Sequence, residues 1–167
     1  MDVFRTAEGY IAVMALKLSE PLNEIPENLF EGLKVVLTRS SSVASSRHAA
    51  IAAYRALRAF KEGKNITRNL ESEVAVCLTG ERQIHKALKR TNPIGADKVV
   101  SIVVSAQPME WNKLSAKVCE TLKAAEIDEF GPLQELAKDF GVENILSCSE
   151  RLELIIVEKS ALVELER

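Results

Sequence analysis

Three observations predict an α+β fold in a single domain, with a small, mostly antiparallel or mixed sheet packed with helices. The chain has 167 residues, enough for one domain around one core. Short runs rich in Val, Ile and Leu, at Tyr10 to Leu18, Lys34 to Arg39 and Lys98 to Ala106, have the length of strands. The segments between and after them place apolar residues at helical spacing, most clearly from Arg47 to Glu62. The composition is that of an ordinary globular domain, with 47% hydrophobic and 28% charged residues. Seven Gly and five Pro are too few for a linker-rich or low-complexity chain. No apolar run approaches the roughly 18–20 residues of a membrane span. The N-terminal MDVFRTAEGY lacks a basic stretch followed by an apolar one, so no signal peptide is expected. Cys77, Cys119 and Cys148 are odd in number and far apart, which points to buried thiols in a reducing compartment and a cytoplasmic protein.

Taken in order, Tyr10 to Leu18 is nearly continuous in apolar residues and fits a central strand. Pro21 and Pro26 end it, and Pro26 can start a short helix from Glu27 to Leu33. Lys34 to Arg39 is β-branched and reads as a second strand. The serines from Ser40 to Ser46 form a turn, with Ser45 or Ser46 as helix N-cap. In the helix Arg47 to Glu62, Ala49, Ala52, Ala53, Ala56, Leu57 and Phe60 make one packed face, and Gly63 follows as the C′ residue. Asn65 to Leu70 connects to Glu73 to Thr79, an apolar run that reads as a strand. Thr79-Gly80 then turns into a helix from Glu81 to Arg90, ended by Asn92-Pro93 and Gly95. Lys98 to Ala106 is the clearest strand. A helix from Met109 to Ala125 carries Trp111, Leu114, Val118 and Leu122 on one side, with Trp111 as a core or interface anchor. Leu133 to Phe140 is a short helix closed by Gly141, and Ile145 to Cys148 has strand character. A last helix runs from Ser149 or Glu150 to about Ser160. It is more apolar than one buried stripe requires: Leu152, Ile155, Ile156 and Lys159 line one side, and Leu154 and Val157 lie on others. A second apolar face suits a partner protein; a central buried element, or a strand through Ile155-Ile156-Val157, suits the same residues.

Charge is unevenly spread. Arg47 to Arg90 holds ten Lys/Arg and four acids, a net of +6, which leaves −8 for the remainder of a chain whose total is −2. Such a segment is a candidate electrostatic footprint, although Lys and Arg also serve simply to solubilise helix faces. Lys61, Lys64 and Arg68 bracket Gly63 at a helix exit, and with the Thr67 hydroxyl and free backbone N–H groups they can clamp phosphates. Arg82 and Lys86 follow after a single intervening element and can share that face.

The usual signatures of catalysis are missing from the sequence. Gly80 and Gly95 stand alone rather than in a phosphate loop. No CxxC or HExxH pattern includes His48 or His85, so no metal site is expected, and no cofactor. Cys77 in an apolar run is a poor nucleophile. These absences indicate a binding subunit rather than an enzyme.

The run KEGKNITRNLESEVAVCLTGERQIHKALKR resembles the TPRKB-type subunit family of the KEOPS complex, which makes threonylcarbamoyladenosine beside the anticodon of tRNA. The matching positions are Lys61, Gly63-Lys64, Thr67-Arg68, Leu70, Glu73, Leu78, Thr79, Ile84 and Ala87-Leu88. The chain departs after Leu88, where Arg90-Thr91-Asn92-Pro93-Ile94-Gly95 replaces the aromatic-Gly-Ile frequent in the family. The compact length and charged helices look more archaeal than animal. The resemblance implies a non-catalytic subunit that binds the atypical kinase/ATPase of the complex and holds the single-stranded acceptor end of tRNA. Lys61, Lys64, Thr67, Arg68, Arg82 and Lys86 become candidate tRNA contacts, and Leu152, Ile155, Ile156 and Lys159 candidate kinase contacts. The alternative is a pure protein-interaction module that regulates the kinase without touching RNA.

Overall fold

The computed structural model describes residues 1–26, 33–142 and 149–162. The helix expected from Glu27 to Leu33, the strand character of Ile145 to Cys148 and the tail beyond Leu162 fall wholly or mainly outside these residues. The elements in chain order are β1 (Asp2–Thr6), β2 (Gly9–Leu18), β3 (Lys34–Arg39), a single 3-10 turn (Ser40–Ser42), α1 (Ser46–Lys61), α2 (Leu70–Thr79), α3 (Ile84–Thr91), β4 (Lys98–Ser105), α4 (Trp111–Leu122), β5 (Ala124–Ile127), α5 (Leu133–Asp139) and α6 (Ser149–Ala161).

The strands form one sheet in the order β1-β2-β4-β3, with β5 also on β2. Every pairing is antiparallel. β2 meets β4 along one edge from Tyr10 to Lys17, while its other edge takes β1 opposite Gly9 to Val13 and β5 opposite Ala15 to Leu18. This explains why β2 reads as a continuous apolar run. Both of its faces are covered, with Ile11, Val13 and Ala15 against α1 and α2, and Ala12, Met14, Leu16 and Leu18 against the α4 side. A third cluster joins α5 and α6 to the start of α1 through Ala44, Leu136, Ala137, Leu152 and Ile156.

Two sequence expectations are corrected. The run Glu73 to Thr79, expected as a strand, lies within helix α2. Its ends are set by local chemistry. The Asn69 side chain accepts from Ser72 N at 2.9 Å as N-cap, and Gly80 closes the helix in the left-handed conformation at φ 64°. Because Val74 to Thr79 are buried on every side, the run shows no 3.6-residue periodicity, and a short apolar run of this kind is ambiguous between strand and helix. The helix expected from Met109 to Ala125 stops at Leu122. Lys123 adopts a left-handed φ of 48°, and the chain then pairs with β2 as β5. α1 follows its sequence pattern: buried Ala49, Ala50, Ala52, Ala53 and Ala56 bring the helix axis close to the sheet. Trp111 is half-buried against the α4-side core, its ring tilted on Tyr10 at 6.0 Å between centroids.

Candidate functional site

The basic turn begins where α1 ends. Lys64 N donates to Ala59 O at 2.8 Å and Gly63 N to Phe60 O at 3.3 Å, the paired bonds of a Schellman closure, with Gly63 at φ 67°. The next residues are held from below by a buried carboxylate. Glu73 is 0% exposed, and its Oε2 accepts from Ile66 N at 3.1 Å and Thr67 N at 2.9 Å and lies 2.8 Å from Thr67 Oγ1. Glu73 is therefore the staple of the turn. The Thr67 hydroxyl is engaged inside it, also 2.9 Å from Asn69 O, and is not presented to solvent.

The cations on this turn are not equivalent. Lys61 Nζ lies 3.0 Å from Glu8 Oε2, and Lys64 Nζ lies 2.8 Å from Glu62 Oε2. Hydrogen bonds from Lys64 and Arg58 hold the Glu62 carboxyl down at about 2. Arg68 is exposed and enters no ion pair among the described residues.

Arg68 borders a groove that no stretch of sequence announces. A cleft of about 300 Å³ is lined by Lys34, Leu57, Phe60 and Arg68, and a larger one of about 560 Å³ by Val36, Val74, Ala75, Leu78, His85, Leu88 and Lys89. The two meet at Glu71, so together they run along α2 beside β3. The groove has an apolar floor, one aromatic side chain, and cations in both clefts: Lys34 and Arg68 line the smaller, Lys89 and His85 the larger. Arg82 and Lys86 are exposed on or near α3 but line neither cleft. The far wall is rigidly anchored. Ser42 Oγ donates to Arg90 O at 2.6 Å, Thr38 Oγ1 to Thr91 O at 3.2 Å, and Arg39 to Asn92 O at 3.1 Å and Ile94 O at 3.3 Å. These bonds satisfy carbonyls at the end of α3, and one in the loop after it, that have no helical donor. They also commit Arg39 to the scaffold.

α6 divides the residues expected to face a partner. Leu152 is 3% and Ile156 0% exposed, both packed into the α5–α6 core, with Ile155 half-buried against it. Leu152 and Ile156, named above as candidate kinase contacts, turn inward, since every fourth residue from Leu152 faces the chain's own interior. The outward side carries Leu154 at 53% exposure with Arg151, Glu158 and Lys159, and Leu162, just past the helix end, is 44% exposed.

His48 sits where α1, α2 and α5 meet. Its Nδ1 accepts from Ala44 N at 3.1 Å, Nε2–H donates to Leu78 O at 3.1 Å, and the ring lies edge-on to Phe140. Burial holds its pKa down at about 4, so it is a neutral structural histidine. Among the described residues no three His, Cys, Asp or Glu side chains converge as a metal site, and no helix is long and apolar enough to cross a membrane.

Comparison with protein families gives a match over residues 20–164 to the family described as kinase binding protein CGI-121. No curated protein matches the chain.

Proposed function

Because the chain belongs to the CGI-121 family of kinase-binding proteins, we propose that it is a non-catalytic, kinase-binding subunit of a KEOPS-type assembly that also holds the single-stranded acceptor end of tRNA. The family match carries the kinase-binding part. The groove along α2 supports the RNA part. Unstacked bases bury their faces against apolar and aromatic side chains while cations take the phosphates, and this groove offers both in one channel. Arg68, Lys34 and Lys89 are its phosphate contacts; Phe60 and the α2–β3 floor receive bases. Lys61 and Lys64 contribute less, because each must first leave a carboxylate. The kinase contact is placed on the outward side of α6, through Leu154, Ile155, Lys159 and Leu162.

A double substitution, Arg68→Glu with Lys89→Glu, tests the RNA reading by gel shift with tRNA at several salt concentrations. Affinity should fall at least about tenfold, and the salt slope should drop by about one for each phosphate that is no longer neutralised. Unchanged affinity in a folded protein sinks it. The engagement of Lys61 and Lys64 by acids favours one other reading, a kinase-regulating module that does not touch RNA, and the same titration decides between the two.

A further inference from the structure

We propose that α1 sets the position of α6, with Ser45 and Arg55 acting as positioning residues for the kinase-facing side of that helix; this rests on the kinase contact assigned to α6 above. The apolar strip holding α6 is narrow. Among the described side chains of α6, the fold buries Leu152, Ile156 and Ser160, to 3%, 0% and 1% exposure. Ile155 packs half-buried beside them, and a stripe one to two residues wide fixes the distance between two helices but leaves rotation and sliding weakly determined. Directional bonds at the two ends remove that freedom.

At one end, Ser45 Oγ donates to Glu153 Oε1 at 2.6 Å while accepting from His48 N at 3.1 Å. The hydroxyl that caps α1 therefore also points Glu153 of α6. At the other end, the Arg55 side chain, 6% exposed, donates from Nη2 to Ala161 O at 3.0 Å. A buried cation on the last carbonyl of a helix is favourable both as a hydrogen bond and toward the helix dipole. Between the two ends, Gly80 at the close of α2 leaves room for the α6 backbone, and a Cβ at that position would lie 3.3 Å from Ser160 Cα. With both ends tied to one rigid, alanine-packed helix, Leu154 and Leu162 keep a fixed spacing and azimuth. A partner then meets a preorganised face and does not have to order it.

The test measures the affinity of the full chain for the purified kinase/ATPase subunit of the same organism, its affinity for tRNA, and hydrogen exchange of the α6 amides. Glu153→Ala and Arg55→Gln should each weaken kinase binding at least tenfold, speed exchange in α6 at least tenfold, and leave tRNA affinity within twofold. Glu153→Gln keeps an acceptor for Ser45, and Arg55→Lys keeps a cationic donor; both should restore kinase affinity to within threefold of the parent. If Arg55→Gln does not fold, Glu153→Ala decides alone. Kinase affinity within twofold of the parent in Glu153→Ala, or equal losses of kinase and tRNA affinity, overturns the proposal. Leu154→Glu separates the two levels. Loss of kinase binding in Leu154→Glu, with retention in Glu153→Ala, rejects positioning alone, whereas parental binding in Leu154→Glu rejects the α6 contact and the proposal with it.

Discussion

α2 and α6 are both short helices dense in Leu, Ile and Val, yet the fold treats them oppositely. α2 is enclosed: Leu70 and Glu73 to Thr79 are buried, and the helix forms the inner wall of the basic groove. α6 lies on the outside, held by a stripe and two polar ties, with Leu154 and Leu162 facing away. Apolar content alone does not distinguish the helix a fold must bury from the helix it can offer to a partner. The neighbours decide, and in α2 they are a sheet and three helices.

This contrast can be broken most forcefully at Ile156. An Ile156→Asp change places an unpaired charge in the α5–α6 core and should cost more than about 4 kcal/mol, so it reports on folding and not on a partner. Leu78→Ala in α2 should cost about 3–4 kcal/mol, because a close-packed site relaxes only partly around the missing atoms. Urea denaturation of the variants checks the ranking.

His48 sharpens the comparison through pH, because it ties the enclosed helix to the α5–α6 layer. Its folded pKa, about 4, lies below the ordinary value of 6.5. Above pH 6.5 the ring is neutral in both states and contributes no pH dependence. As pH falls from 6.5 to 4 the unfolded chain takes up the proton first, so stability declines, by up to ~3 kcal/mol, and levels off below pH 4. Denaturation midpoints at pH 7 and pH 4.5 should differ accordingly, and His48→Asn should remove this part of the slope. A smaller loss, about 2–3 kcal/mol, is expected for Glu73→Ala, which orphans the amides of Ile66 and Thr67. Hydrogen exchange at those two amides should speed up while the centre of the sheet stays protected. The smallest effect belongs to the outward side of α6, where Leu154→Ala should stay within about 0.5 kcal/mol. A large loss of stability there would contradict the exposed placement.

Much of this fold is legible in the residues. β2, β3 and β4 announce themselves by β-branched runs, α1 by its alanine spacing and the Ser45 cap, and the turn after it by Gly63. α2 is not legible as a helix, because burial on all sides erases its periodicity; the usable signal is local, in Asn69 before the run and Gly80 after it. β5 is hidden because Lys123 takes a left-handed φ with no glycine to mark it. The short strand β1 carries no pattern strong enough to read. At the site, Arg68 is legible as one cation in a basic segment. Lys34, His85 and Lys89 are not legible as its companions, because they join it only when β3 and α3 pack beside α2. The inward turn of Leu152 and Ile156 is equally hidden, since their packing partners are drawn from α5 and the start of α1, remote in sequence from Ile156.

The function proposed above puts a single-stranded RNA end in the groove beside α2. Its most direct test compares the affinity of the intact chain for whole tRNA with its affinity for the same tRNA trimmed of its unpaired 3′ nucleotides. Whole tRNA should bind at least about tenfold tighter, and Arg68→Glu should erase most of that difference. Equal affinity for the two RNAs would contradict the claim.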